Sequence, residues 1–158
     1  LSGVFFEQLA GGKLVHVPYK SSAESLNAIL SGQGADIIFE NLAPAMPHIK
    51  GGKLRALGVT SAKRSSAMPD VPAIAETLPG FDITSWQAIF APAGVPKPIV
   101  DRMAAEFIKS IQDPENKAKL VAQGIEPGGM SPAELGAFQR SELEKWAKVI
   151  KAGNIKVD

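Results

Sequence analysis

The chain of 158 residues contains no cysteine, which excludes disulfides, thiolate metal sites, iron–sulfur clusters and cysteine nucleophiles together. Histidine is scarce as well. His16 and His48 are the only two, no H-x-x-x-H spacing links them, and neither a metal nor any other cofactor is expected. Apolar runs long enough to cross a bilayer, roughly 18 residues, are absent. A strong excess of either charge is also missing: 17 basic and 16 acidic side chains leave a net charge of +1. No field for nucleic acid follows from that balance. The basic stretch Lys50, Lys53, Arg55, Lys63 and Arg64 has no interleaved aromatics, so it reads as solvated surface rather than a nucleic-acid contact. Glycine pairs stand at 11–12, 51–52 and 128–129, but none belongs to a G-x-G-x-x-G or G-K-S/T loop that would cradle a nucleotide. A G-x-S-x-G elbow for a nucleophilic serine is lacking too.

What is present is an ordinary globular composition, 45% hydrophobic and 21% charged. A chain of this size buries roughly 70% of its unfolded surface. Leu1, Val4, Phe5 and Leu9 recur at helical spacing up to a stop at Gly11-Gly12. Residues 1–11 themselves carry no basic segment followed by an apolar stretch, so they read as the interior of a helix rather than as a signal peptide. A β-branched run at 14–19 ends in Pro18-Tyr19 and predicts a strand. Ser21 and Glu24 then form a capping-box pattern for a helix with Leu26, Ile29 and Leu30 on its apolar stripe and Gly32 at its end. Strands are expected at 37–39 and 54–59, separated by a short proline-broken helix between Asn41 and Lys50. Residues 61–80 read as loop with a short helix near 74–78, and 81–90 alternate like a half-buried strand. The alternation of strand and helix argues for an α/β layer structure with a mainly parallel sheet.

Ala91-Pro92-Ala93-Gly94-Val95-Pro96 is a turn-rich joint, and beyond it the chain turns helical. One helix opens at Pro98 with Val100, Met103, Phe107 and Ile111 on one face. A second is capped by Asp113-Pro114 and ends at Gly124. A third, opened by the capping box Ser131-Pro132-Ala133-Glu134, carries Leu135, Phe138, Leu143, Trp146 and Ile150.

The pattern with the best physical case for binding is Tyr19-Lys20-Ser21-Ser22-Ala23, where a strand gives way to a helix through small hydroxyl residues. Free N–H groups and the helix dipole at such a terminus favour an anion, and ligands of open α/β sheets collect at the carboxyl ends of strands. The plainer alternative is that Ser21 only caps its helix. Glu40-Asn41 occupies the equivalent strand end one unit later, where Asn can both donate and accept. Alone it reads equally well as a polar turn. No catalytic residue is assigned. Each turn allows anion binding, in which no bond is made or broken, and each equally allows a purely structural role.

Several stretches together resemble the Bug-type solute-binding proteins of tripartite tricarboxylate transporters. They are VHVPYK at 15–20, LAPAMPHIK at 42–50, GKLRALGVTS at 52–61, MPDVP at 68–72 with Ala75-Glu76, the Trp86 strand, and APAGVP at 91–96. The resemblance implies a periplasmic binding protein type II-like α/β fold of two lobes, truncated at its N-terminus and lacking most of the first lobe. Residues 1–90 would be the second, ligand-binding lobe without its first strand, and 91–158 the helical return to the first lobe. It further implies a periplasmic protein that captures a small organic di- or tricarboxylate or related acid and meets membrane transporter subunits. Tyr19, Ser21, Ser22, Ala23, Glu40 and Asn41 would line its cleft. The sequence departs from the family at Ser21, where a glycine is usual, and at Glu40, where an aspartate is usual, so ligand identity does not transfer. Two other readings remain open: a sensor or effector domain of a transcription regulator, which would need a helix-turn-helix, and a cofactor-free α/β hydrolase. With the first lobe incomplete, apolar faces around Phe107 and Trp146 are expected to stay exposed and to favour self-association.

Overall fold

The computed structural model describes residues 1–155 and divides into two compact units, Leu1–Thr84 and a second beginning at Ser85. The first unit holds three nine-residue helices, α1 (Ser2–Ala10), α2 (Ser22–Leu30) and α3 (Leu42–Lys50), and a 3₁₀ turn at Ile74–Glu76. The second holds α4 (Lys97–Gln112), α5 (Pro114–Ala122) and α6 (Pro132–Ala152). Each helix stands where its sequence signals put it. Gly11 ends α1 with φ +71°, a left-handed conformation that glycine adopts without steric cost. Asp113 caps α5 by accepting from the Glu115 and Asn116 N–H groups, and proline fills the first helical position. In α3, Pro44 occupies the third helical position, where an N–H would have no intrahelical partner anyway. The helix then runs on through Pro47, so it is more continuous than two prolines imply.

The expected strands are a different matter. Among the described residues, 14–19, 37–39, 54–58 and 81–90 form no strand ladder. A β-bridge joins Val59 to Ala73 in parallel, with Val59 N–H donating to Pro72 O at 2.9 Å and Ile74 N–H to Val59 O at 3.0 Å. Ile83 N–H adds a contact to Thr60 O at 2.8 Å. β-Propensity places side chains on a half-buried surface but supplies no partner backbone, and a ladder needs one about 4.8 Å away. Val15, Ile37 and Leu57 remain exposed accordingly, Val15 at 92%.

The core of the first unit is aromatic. Phe81 is fully buried, stacked on Phe5 at 5.4 Å and edge-on to Phe6 at 6.1 Å, while Phe6 also meets Phe39 at 6.1 Å. Leu26 of α2, Ala45 and Met46 of α3, Ala73 and Ile83 are the other buried apolar residues of this unit, and Ser65 is buried with them. Removing a buried phenyl ring typically costs about 3–5 kcal/mol through lost transfer energy and the cavity left behind.

In the second unit two helical faces differ from the expected phase. On α4 the half-buried positions are Val100, Ala104, Ile108 and Ile111, whereas Met103 and Phe107 are exposed. On α6 Leu143 and Ile150 face solvent, and the inward positions are Leu135, Phe138, Glu142 and Val149. On α6 the inward positions follow the 3.6-residue period more closely than the hydrophobic residues do, and on α4 the half-buried stripe is turned to the neighbouring set of positions. A carboxylate is tolerated at Glu142, only 7% exposed, because Trp146 Nε1 donates to its Oε2 at 3.0 Å and Lys145 pairs with its Oε1. Lys145 also lies 5.2 Å over the Trp146 ring, and Trp86 packs edge-on to Phe138 at 5.5 Å. Trp146 is therefore half-buried and engaged rather than part of an exposed apolar face.

Candidate functional site

The N-terminus of α2 is built by local hydrogen bonds. Ser21, in extended backbone, accepts from Glu24 N–H through its hydroxyl at 3.2 Å. The Glu24 carboxylate reaches one residue further back than a standard capping box and accepts from Lys20 N–H at 3.0 Å. These two bonds fix the Lys20–Glu24 turn and leave the Ser22 and Ala23 N–H groups at the open first turn. Ser22 does not cap. Its hydroxyl donates across to Glu40 Oε2 at 2.8 Å, joining two segments 18 residues apart.

Glu40 in turn accepts from Asn41 N–H through Oε1 at 2.8 Å. Asn41 is the N-cap of α3 by position, yet its side-chain amide makes no capping bond. A pair of helix N-termini is thus tied together by a single half-buried carboxylate, with the Asn41 amide beside it. Positive ends of two helix dipoles and a few unspent donors can hold an acidic group; the carboxylate already there can accept from a donor.

Of the six residues singled out from sequence, the structure connects Ser22, Glu40 and Asn41 directly, with Ser21 and Ala23 flanking them in the α2 turn. Tyr19 is directed elsewhere. A Cβ on Gly34, which has φ +87°, would lie 3.0 Å from the Tyr19 hydroxyl, so that hydroxyl packs on the loop that follows α2. His16 is exposed and His48 is half-buried in the last turn of α3. Among the described residues no three histidine, aspartate or glutamate side chains gather as a metal-binding group, and no helix is long and apolar enough to cross a membrane.

One linkage went unread in the sequence. Arg64, counted there with the solvated basic stretch, forms a two-point pair with Glu76: Nε to Oε1 at 2.7 Å and Nη2 to Oε2 at 2.8 Å. Arg64 Nη1 also donates to Pro69 O at 3.2 Å, and Ala73 N–H donates to Glu76 Oε1 at 2.9 Å. The guanidinium bond, followed by the Ala73 N–H, holds the Glu76 carboxyl down at about 2. Arg64 is raised in return, chiefly by the same bond. The signal was an Arg and a Glu flanking a proline-rich loop, and only the folded path of 64–76 brings them together. A concavity of about 690 Å³ lies in the other unit along α4, lined by Ile99, Met103 and Phe107 with Arg102 and Glu106. It is one open helix face rather than converging polar groups, unlike most small-molecule sites.

Residues 2–155 match the family model described as the tripartite tricarboxylate transporter family receptor. Among curated relatives, a UPF0065 protein from the tcbD-tcbE intergenic region of Pseudomonas sp. (strain P51) is 36% identical over 95% of this chain and 45% of its own length. Among solved structures, R. palustris Rpa4515 with adipate superposes with a TM-score of 0.84 at 33% identity, over 98% of this chain and 52% of that one. The periplasmic binding protein BugD does so with a TM-score of 0.71 at 26% identity, again over 98% and 52%. The chain spans about half the length of these relatives, and its fold is the corresponding part of a periplasmic binding protein.

Proposed function

The chain belongs to the tripartite tricarboxylate transporter family of receptors, and from that premise we propose that it serves to capture a small organic acid outside the cytoplasm for delivery to membrane transporter subunits. The match across residues 2–155 carries this reading. The chemistry at the paired N-termini of α2 and α3 supports it: an acid's carboxylate accepts from the Ser22 and Ala23 N–H groups and from the Asn41 amide, stabilised by both helix dipoles. Ser21 orders that turn and Glu40 borders the ligand, while Tyr19 packs on the Gly34 loop and takes no part in the contact. The role asked of these groups is reversible binding, and no step transfers a proton or forms a covalent bond.

The test is calorimetry of this chain against a panel of di- and tricarboxylates, aromatic acids and amino acids. At least one acid is expected to bind. The Asn41→Ala variant is then expected to bind that acid about tenfold more weakly, as for loss of one hydrogen bond to a charged group. If no acid binds, the reading is wrong. Unchanged affinity in the variant would move the ligand away from α3.

A further inference from the structure

The donors at the paired helix N-termini are already partly satisfied by a charge of the chain's own. Glu40 takes the Ser22 hydroxyl on one carboxylate oxygen and the Asn41 N–H on the other, each at 2.8 Å. An ionised carboxylate offers about four acceptor positions. Two of Glu40's are filled by these protein donors, and because the group is only half-buried, acceptor positions remain for a further donor. An acid that settles at the first turn of α2 brings its remaining substituents beside this anion. A bare carboxylate or apolar chain there meets repulsion or leaves Glu40 stripped of water without compensation. An ammonium or hydroxyl meets an acceptor held in place from two helices, and a charge-assisted hydrogen bond forms.

We propose that Glu40 sets the ligand class, selecting acids that carry an ammonium or hydroxyl next to the carboxylate over acids that lack one. This rests on the solute-binding reading above and adds a specificity to it. Ser22 acts as a positioning residue: its hydroxyl holds the Glu40 carboxylate on the α2 side, where a donor on the ligand can reach it.

L-Aspartate, L-malate and succinate separate the possibilities, because they share one four-carbon dicarboxylate chain and differ only in carrying an ammonium, a hydroxyl or a hydrogen at one carbon. Calorimetry of the unaltered chain is expected to show aspartate and malate binding at least about tenfold more tightly than succinate. In Glu40→Gln, which keeps the size and loses the charge, that preference is expected to shrink to within about threefold, mainly through weaker aspartate binding. Succinate bound as tightly as aspartate by the unaltered chain would overturn the role of Glu40 and leave acid binding intact. A preference that persists unchanged in Glu40→Gln would overturn it as well. If all three and the wider acid panel fail to bind, solute binding itself falls and the specificity falls with it. The comparison of three ligands on the unaltered chain does not depend on how well the variant folds.

Discussion

At the scale of single residues, the clearest electrostatic device outside the site is the Arg64–Glu76 pair. It closes the loop between residues 64 and 76, with Ala73 N–H and Pro69 O as further partners, and Ala73 is itself fully buried beside the Val59 bridge. Both side chains are nearly half exposed, so solvent screens much of the pair's energy. Its pH dependence is nonetheless definite. Glu76 titrates near 2 when folded and near its ordinary value of 4.5 when unfolded. The contribution to stability is therefore fully present above about pH 4.5 and fades as pH falls toward 2. Glu76→Gln is expected to lower the melting temperature at pH 7 and to lose that difference progressively in acid. Circular dichroism melts of both proteins between pH 7 and pH 2.5 would check this, and a gap that stays constant with pH would show that the ion pair is not its source. The pair was not legible in the sequence because Arg64 and Glu76 lie 12 residues apart on no common helix, so only the folded loop creates their contact.

At the scale of elements, the helices were legible and the strands were not, and the reason is the range of the forces involved. A cap, a proline at the first helical position or a terminal glycine acts within a few residues. Ser131 shows this well: its hydroxyl accepts from Glu134 N–H at 3.3 Å while the Glu134 carboxylate accepts from Ser131 N–H at 2.8 Å. The Ser131 N–H holds the Glu134 carboxyl below its ordinary range, which is the electrostatic counterpart of the same cap. Ser131→Ala is expected to destabilise α6 by about 1 kcal/mol. Urea denaturation followed by helical circular dichroism measures it, and an unshifted midpoint would mean that α6 is held by packing alone. Strand pairing, by contrast, depends on a backbone far away in sequence. Residues 14–19 carry the right side chains for a strand, yet nothing local could show that 59 would bridge to 73 instead. The candidate site divides along the same line. Ser21 as a cap followed from S-x-x-E spacing, whereas the bond from Ser22 to Glu40 crosses 18 residues and came only with the fold. The inward face of α6 was misjudged because hydrophobicity alone selects Leu143 and Ile150; a buried Glu142 makes sense only once Trp146 and Lys145 are seen to satisfy it.

At the scale of the whole molecule, the chain corresponds to about half of the solved relatives it superposes on, and apolar side chains stand exposed in both of its units. Val15, Ile37 and Leu57 do so in the first unit, and Ile99, Met103 and Phe107 line one face of α4 in the second, between 41% and 50% exposed. Isolated exposed apolar residues are normal, but a row at i, i+4 and i+8 along one helix is a continuous strip. The net charge of +1 supplies almost no long-range repulsion between copies, and the pI near 8.2 keeps it small at neutral pH. Burying such a strip against its own copy recovers roughly 25 cal/mol for each Å² of apolar surface removed from water. This chain is therefore expected to self-associate as its concentration rises, with α4 as the contact. Sedimentation velocity over a hundredfold concentration range should show a rising weight-average coefficient. The double variant Met103→Glu with Phe107→Glu places like charges along the strip and should return the chain to a concentration-independent monomer. Because both positions are exposed and helical, the variant keeps the half-buried face of Val100, Ala104, Ile108 and Ile111 intact. A monomer at every concentration before substitution would mean that the α4 strip is too short to hold a second copy. Association that survives the double variant would instead place the contact on the unpaired apolar residues of the first unit.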